Sequence, residues 1–258
     1  MILFLDTPTM PETNVKIKAI IFDLGETLLS FGRVSEKKVF SKSAGASYQY
    51  LRSLKIPVGS YRMYFLRNMV SLKVRYWISN LTGRDFDAIS LLQKVNKSIK
   101  LDKQQWEELF WHWYEPLTSI AKVEEDLFMT LSKLKAAGIK LGILSNTFIN
   151  HSSIERHLRD LKILDFFTVR LYSYQFGFRK PDIRIFKTAA EKIGERPENI
   201  LFVGDLIEND IKPAIKAGMR AALKTAYTND GAKIPAGVWR IRQLSELPEL
   251  VARLEAGK

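Results

Sequence analysis

Apolar and polar residues follow different patterns in the two main parts of the chain. In the second half, short continuous apolar runs alternate with stretches of helical period, and Gly138, Gly194 and Gly218 follow those helical stretches as stop signals. Strands without polar alternation are buried on both faces, and strands separated by helices run parallel. The pattern therefore predicts an α/β fold in which helices cover both faces of one parallel sheet.

A first strand is predicted at residues 15–22, far from the other strands in sequence. Further strands are predicted at 139–145, 169–172, 200–204 and near 221 and 239, and helices at 124–137, 151–160, 183–193, 210–217 and 246–254. The carboxyl ends of parallel strands meet along one edge of the sheet, where ligands bind in open α/β folds. We therefore expect the polar residues that follow these strands to form the functional site.

The segment between the first two strands has long helical periodicity and few glycines. Trp106, Phe110 and Trp113 recur at i, i+4 and i+7, so they share one face of a helix. A second aromatic stripe, between Tyr61 and Leu72, follows nearly the same spacing. We interpret both stripes as the packed core of a helical insertion, because a helical bundle must bury its own apolar faces.

Composition narrows the class of protein. The chain has 258 residues and 46% hydrophobic residues, which suits a folded protein with a full core. It has no cysteine, so disulfides and thiolate nucleophiles are excluded. No apolar run approaches the ~18 residues of a membrane span, and the five-residue apolar opening is too short for a signal peptide. We expect a cytoplasmic protein without a membrane partner.

Positive charge is concentrated in the helical insertion. The chain carries 40 basic and 28 acidic residues, and residues 31–120 alone hold 15 basic and 7 acidic ones. This segment either leans over an anionic substrate such as a phosphate ester, or is an ordinary solvated helical surface. Because no nucleic-acid-binding motif accompanies the charge, we do not expect a nucleic-acid partner.

The first strand carries the candidate nucleophile. Residues 18–22 are apolar apart from the leading lysine, and they deliver Asp23 into a short loop with Gly25 and Thr27. A carboxylate in such a position can attack phosphorus and form an aspartyl phosphate, which divides one difficult hydrolysis into two easier steps. The Thr27 hydroxyl can orient the group that is transferred.

Two later segments supply groups that suit a phosphoryl group. Ser145 and Asn146 end the second strand, and a hydroxyl with an adjacent amide can hold phosphoryl oxygens without adding charge. Lys180 precedes Pro181, which favours an extended backbone and a defined direction for the ammonium group. That compact positive charge can offset the nucleophile and the phosphate.

The strand at 200–204 supplies candidate metal ligands. Asp205 follows it directly, and Asp210 lies five residues later. Hard carboxylate oxygens suit Mg²⁺, which binds through one or two carboxylates and keeps several waters. Asp210 is either a ligand through water or a support for Lys180.

In order and spacing, these four segments resemble the four motifs of the haloacid dehalogenase (HAD) superfamily. The resemblance implies a Rossmann-like core at 17–30 and 121–258 and an inserted α-helical cap of the C1 type at 31–120. Residues 1–16 would form an N-terminal leader. Members with such a cap act mostly on small molecules, so we expect a small anionic substrate, while the oligomeric state stays open.

The resemblance also implies roles for the site residues. Asp23 would be the nucleophile, with Lys180 as the second catalytic residue. The implied magnesium ligands are Asp23, Asp205, Asp210 and the backbone carbonyl of Gly25. The implied phosphate-binding groups are Thr27, Ser145, Asn146 and Lys180.

One position departs from the family pattern. Most phosphatases of the family have a second aspartate two residues after the nucleophile, which protonates the leaving group and activates water, and this chain has Gly25 there. Three hypotheses remain. Glu26 or another carboxylate transfers the proton, the substrate has a good leaving group, or catalysis has been lost.

These observations favour a Mg²⁺-dependent phosphomonoesterase that acts on a small phosphorylated metabolite through an aspartyl phosphate. The main alternative is a 2-haloacid dehalogenase, which also lacks the second aspartate and needs no metal, although family dehalogenases have serine and asparagine where this chain has its acidic fourth motif. A phosphonate-cleaving enzyme is a further alternative. The alternative without efficient catalysis is a HAD-fold binding or regulatory protein.

Overall fold

The computed structural model describes residues 16–256. Of the leader predicted at 1–16, only the last residue falls within this range. Six parallel strands form one sheet in the order β3-β2-β1-β4-β5-β6. The strands are β1 Ala19–Phe22, β2 Lys140–Ser145, β3 Phe167–Tyr172, β4 Ile200–Gly204, β5 Arg220–Lys224 and β6 Trp239–Ile241. The predicted α/β fold with a parallel sheet is thereby confirmed.

Helices fill the space between the strands and form the insertion after β1. Those of the insertion are α1 Glu36–Ser53, α2 Tyr61–Thr82, α3 Ala88–Val95 and α4 Lys103–Thr118. Those of the sheet region are α5 Leu127–Ala136, α6 His151–Asp160, α7 Ile183–Ile193, α8 Lys212–Lys216 and α9 Leu247–Glu255. No helix in the described part of the chain combines the length and hydropathy that crossing a membrane requires.

Strand β1 lies at the centre of the sheet, between β2 and β4. Its side chains alternate between the two faces, since Ile20 and Phe22 pack in one hydrophobic cluster while Ala19 and Ile21 pack in the other. The strand order reverses at β1, since β2 and β3 lie on one side of it and β4, β5 and β6 lie on the other. Open α/β folds bind ligands at such a reversal.

The helices α1–α4 bury a third hydrophobic cluster. Trp106 and Trp113 are buried in it as predicted, and so is Leu72. Tyr61 is an exception. It is the first residue of α2 and is exposed, and the buried side chains of this helix begin at Tyr64. All four helices fall within residues 31–120, and the boundary of the cap as a domain stays a prediction.

Three elements differ from the prediction in their boundaries or type. Helix α5 begins at Leu127 rather than at residue 124, since the Glu124 carboxylate contacts Lys224 Nζ at 3.0 Å and accepts a hydrogen bond from Leu244 N at 2.7 Å. The helix predicted at 210–217 is a π-helical turn, Ile207–Ile211, followed by the short helix α8. Strand β1 begins at Ala19, four residues later than predicted.

Candidate active site

Three neighbouring strands bring the predicted site residues to one edge of the sheet. Asp23 follows β1, Ser145 ends β2 and Asp205 follows β4, and all three side chains are buried. The Asp23 N–H donates to the Val203 carbonyl at 2.8 Å, which continues the pairing of β1 and β4 by one residue. The backbone of the sheet therefore fixes the position of the candidate nucleophile.

Lys180 lies between two carboxylates. Its Nζ donates to Asp23 Oδ1 at 2.5 Å and to Asp210 Oδ1 at 2.6 Å, and the lysine is almost fully buried. Burial alone would lower the pKa of Lys180, but Asp210 and Asp23 outweigh that effect and raise it. The lysine therefore stays charged, and it holds one oxygen of Asp23 in place.

The Asn146 side chain is held by the backbone of Lys180, which does not favour the phosphate-binding role predicted for its amide, and that role stays a prediction. Its Nδ2 donates to the Lys180 carbonyl at 2.8 Å, and its Oδ1 accepts from the Lys180 N–H at 2.9 Å. Both polar atoms of the amide are therefore used to hold the backbone of the lysine loop. In this geometry Asn146 is a positioning residue for Lys180.

Thr27 and Ser145 both lie close to Asp23. Thr27 Oγ1 donates to Asp23 Oδ2 at 3.4 Å, and its side chain is buried. Ser145 lines the same cavity as Asp23 and Lys180. Their roles in binding phosphate stay predictions.

The Glu26 carboxylate has other partners. Its Oε1 accepts from Phe31 N at 2.9 Å and Gly32 N at 3.0 Å, and its Oε2 accepts from Ser30 Oγ at 3.1 Å. Glu26 also has a positive φ of 55°, which fits a tight loop. The carboxylate therefore holds the start of the helical insertion, and this geometry does not favour the acid/base role that we considered for it.

The acidic cluster has the composition of a divalent-cation site. Ligand atoms of Asp23, Asp205 and Asp210 lie within 4.8 Å of one another. Three carboxylates and the Lys180 ammonium leave two negative charges, which a divalent cation would balance. Asp210 is fully buried and accepts from Lys180 and from the Leu206 N–H at 2.9 Å, which is the geometry of a support for Lys180. Which of the three carboxylates contacts a cation directly stays a prediction.

Burial of the cluster raises the pKa values of two of its carboxyl groups. Burial raises the pKa of Asp23 above its ordinary value, and Lys180 opposes that increase only in part. Burial likewise raises the pKa of Asp205 to about 6, although a hydrogen bond from Thr228 acts in the other direction. A bound cation would favour the ionised forms of both groups.

Two residues that hold Asp205 were missed by sequence reasoning. Thr228 Oγ1 donates to Asp205 Oδ2, and Asn229 Nδ2 donates to the Asp205 carbonyl at 2.9 Å. Both follow β5 in the chain, where polar residues after a buried strand were a signal that could have indicated them.

Gly204 is required by close packing rather than by backbone conformation. A Cβ atom built on this residue would lie 2.6 Å from the Cβ of Asp210, a distance that real contacts do not show. Gly204 therefore makes room for Asp210, which holds Lys180. Any side chain at position 204 would displace Asp210.

We expect Gly204→Ala to lower the free energy of unfolding by ~1–3 kcal/mol, because overpacking forces neighbouring side chains and backbone to move. Thermal and urea unfolding would measure the change. Gly25→Ala is the matched control, since a Cβ at Gly25 meets no atom within 4 Å. Equal stability of the two variants would contradict the packing argument.

The helical insertion covers the cavity at the carboxyl edge of the sheet. A cavity of about 460 Å³ is lined by Asp23 and Lys180 from the sheet side and by Tyr76 and Asp85 from the insertion. The Arg179 guanidinium donates to Asp85 Oδ1 at 2.6 Å. Tyr76 and Asp85 thus form the roof of the cavity. An ion pair joins Asp85 in this roof to Arg179, the residue that precedes Lys180.

The parallel sheet, the strand-end aspartates and the buried lysine define an α/β protein with a buried acidic site at the carboxyl edge of its sheet. A family model described as haloacid dehalogenase-like hydrolase matches residues 17–218. The chain belongs to the haloacid dehalogenase-like hydrolase family, as its four motifs indicated.

Several relatives that match parts of the chain are named as phosphatases. A glyceraldehyde 3-phosphate phosphatase of Methanocaldococcus jannaschii is 34% identical over 128 residues, which cover 49% of this chain and 55% of the relative. One from Methanopyrus kandleri is 26% identical over 203 residues, or 79% of this chain and 82% of the relative. A phosphoglycolate phosphatase of Aquifex aeolicus is 31% identical over 147 residues, or 57% and 67%. The chain spans about half the length of the first of these.

Solved structures share the whole architecture. A HAD phosphatase from Thermococcus onnurineus aligns with a TM-score of 0.58 at 24% identity, over 91% of this chain and 97% of the other. A 2-haloacid dehalogenase from Pseudomonas syringae aligns with a TM-score of 0.55 at 25% identity, over 92% and 99%. Both phosphatases and dehalogenases therefore use this fold, and the choice between them depends on the site.

Proposed function

We propose that this protein is a Mg²⁺-dependent phosphomonoesterase that hydrolyses a small phosphorylated metabolite through an aspartyl phosphate. The observation that carries the proposal is the buried group of Asp23, Lys180, Asp205 and Asp210 at adjacent strand ends. Its two excess negative charges suit a divalent cation. A dehalogenase that works without metal does not need them.

The proposed reaction has two steps. In the first step an oxygen of Asp23 forms a bond to phosphorus while the bond from phosphorus to the leaving oxygen breaks, and the leaving oxygen takes up a proton from solvent water. In the second step water attacks the same phosphorus and gives up a proton to solvent, while the bond from phosphorus to the Asp23 oxygen breaks, which releases phosphate and the free carboxylate. Lys180 holds Asp23 and offsets negative charge. Asp23, Asp205 and the Gly25 carbonyl would hold the cation, which supplies further positive charge when bound.

The cavity favours a small substrate. Its volume of about 460 Å³ lies in the lower part of the usual range for ligand sites, ~300–1,000 Å³. The phosphatases named above act, by their names, on glyceraldehyde 3-phosphate and phosphoglycolate. These two compounds are therefore the first members of a substrate panel.

Gly25 is the observation that keeps a second candidate. A glycine at this position leaves the site without the second aspartate, and a dehalogenase displaces halide from carbon without one. Asp205 argues against this chemistry, because halide displacement requires no metal ligand. A binding or regulatory role with weak turnover is the remaining alternative.

The test combines a substrate panel with metal control. The panel contains phosphorylated metabolites, an aryl phosphate and 2-chloropropionate, each with Mg²⁺ and with EDTA. We expect phosphate release that requires Mg²⁺ and no chloride release. Chloride release that EDTA does not affect would establish the dehalogenase instead, and no turnover of any compound would favour the binding role.

Calorimetric titration tests the metal site independently of activity. We expect Asp205→Asn to weaken Mg²⁺ binding by at least ~10–100-fold, because it removes one of the three negative charges that attract the cation. Glu208→Gln is the matched control, since Glu208 lies in the same turn with an exposed side chain that pairs with Lys212. Equal Mg²⁺ affinity of Asp205→Asn and the parent would remove Asp205 from the ligand set.

A further inference from the structure

Helix α2 carries an apolar stripe on the face that points away from the protein. Six of its side chains are each between 51% and 68% exposed. They are Met63, Leu66, Val70, Val74, Trp77 and Leu81, and they form the α2 stripe. Successive members are three or four residues apart, so they share one face of the helix. The opposite face of α2 is buried in the helical cluster and includes Tyr64 and Leu72.

The area of the α2 stripe is large for a free surface. Its six side chains together expose roughly 600 Å², which is the upper limit of the apolar patches that monomeric proteins present. Two such stripes in contact would bury roughly 1,200 Å², which is enough for a specific protein interface. The stripe alone therefore provides the area that a stable dimer needs.

We propose that the α2 stripe is the interface of a homodimer in which the two α2 helices pack antiparallel. A two-fold interface requires a patch that is complementary to itself. With the two-fold axis at the level of residue 72, Met63 lies opposite Leu81 of the second copy, and Val70 lies opposite Val74.

Charge also bears on the orientation of the two helices. The helix carries Arg62, Arg67, Lys73 and Arg75 and no acidic residue. Arg67 donates to Asn96 Oδ1 and Arg75 lies over the Phe86 ring, so both are engaged within the chain. Arg62 and Lys73 are exposed, and in a parallel pair each would lie at the level of its own copy, where like charges are unfavourable. In the antiparallel pair they lie at the level of Thr82 and Ser71, so charge favours this arrangement.

The stripe and the roof of the cavity belong to the same helix. Arg179 donates to Ser79 Oγ at 3.1 Å and to Asn80 Oδ1 at 2.9 Å, and both acceptors lie in the last turn of α2. Dimer formation would therefore hold the helix that closes the site. The proposal itself rests on the surface of α2 and does not depend on the substrate or on turnover.

The oligomeric state of the full chain tests the proposal. Light scattering during gel filtration should give twice the mass of one chain, and sedimentation should give the dissociation constant. We expect Val70→Glu/Val74→Glu to raise that constant at least ~100-fold, because it places unpaired charges at the centre of an apolar interface. The control is Met129→Glu, since Met129 is an exposed apolar residue on α5. Circular dichroism verifies that both variants are folded.

Cross-linking tests the antiparallel arrangement. The chain has no cysteine, so each introduced thiol is unique. Met63→Cys and Leu81→Cys proteins, mixed and oxidised, should form a mixed disulfide dimer, whereas each alone should not, because like positions would lie ~27 Å apart along the helix. Cross-linking of each variant with itself would instead indicate a parallel pair.

A monomer at all accessible concentrations, or a dimer that Val70→Glu/Val74→Glu leaves intact, would overturn the proposal. Flotation with vesicles that contain phosphatidylserine covers the other surface that a basic, apolar helix could bind. A monomer whose vesicle binding depends on the α2 stripe would assign the stripe to anionic membranes instead of a second copy. Added salt distinguishes the two cases further. It weakens the binding of the basic helix to anionic vesicles, whereas in a dimer it screens the repulsion between the basic residues of the two copies.

Discussion

Asp23→Asn is expected to abolish phosphate ester hydrolysis and to leave the fold intact. The change replaces the attacking carboxylate by an amide, which is not a nucleophile towards phosphorus, so we expect kcat to fall by at least ~10⁴-fold. The shape of the side chain is kept, and one oxygen remains to accept the hydrogen bond that Lys180 Nζ now donates to Asp23 Oδ1 at 2.5 Å. Catalysis should therefore be lost without a large change in packing.

The measurement is steady-state turnover of an aryl phosphate together with the melting temperature. Asp160→Asn is the matched control, because Asp160 is an exposed aspartate at the end of α6. It should retain the activity of the parent. An Asp23→Asn protein with parental kcat would remove the nucleophilic role from Asp23, and a variant that is inactive only because it unfolds would be recognised by its melting curve.

Turnover in ¹⁸O-water distinguishes the two reactions that an aspartate nucleophile can support. If water attacks phosphorus, the label enters the released phosphate and Asp23 keeps its own oxygens. Halide displacement would instead leave Asp23 as an alkyl ester. If water then attacks the carboxyl carbon of Asp23, the label enters Asp23. Mass spectrometry of the peptide that contains Asp23 therefore reads the chemistry directly.

The positions of the strand-end residues could be predicted because sheet pairing determines them. Once β1, β2 and β4 are recognised as parallel neighbours, Asp23, Ser145 and Asp205 must meet at one edge, and they do. The direction of a side chain beyond the strand end depends on loops that come from other parts of the chain. Asn146 is the clearest case, since its partner Lys180 lies 34 residues away in sequence.

Helix α2 shows a second limit of sequence patterns. Its apolar residues occur on two opposite faces, one of which meets the helical cluster through Tyr64 while the other carries Trp77 in solvent. Helical periodicity identifies such faces, but it does not determine which of them turns towards the core. That choice follows from packing against α1 and α3.

Glu26 decides how the missing aspartate at position 25 should be interpreted. Its carboxylate accepts hydrogen bonds from Phe31 N and Gly32 N, so it is held away from proton transfer. We therefore expect Glu26→Gln to lower the melting temperature without changing how rates depend on the leaving group. A steeper dependence in this variant would restore Glu26 as the acid.

Gly25→Asp is expected to raise the turnover of alkyl phosphates by ~10²–10⁴-fold, the range of a general acid or base, and to change aryl phosphates little. A Cβ at Gly25 meets no atom within 4 Å, so the new side chain can be accommodated. The measurement is kcat/KM across esters of graded leaving-group pKa, which should give a steep slope for the parent and a shallow one for the variant. Gly25→Asn is the control, because it adds the same volume without an acid. If Asn and Asp at position 25 give the same slope, or if the parent slope is already flat, proton transfer at position 25 does not limit this enzyme.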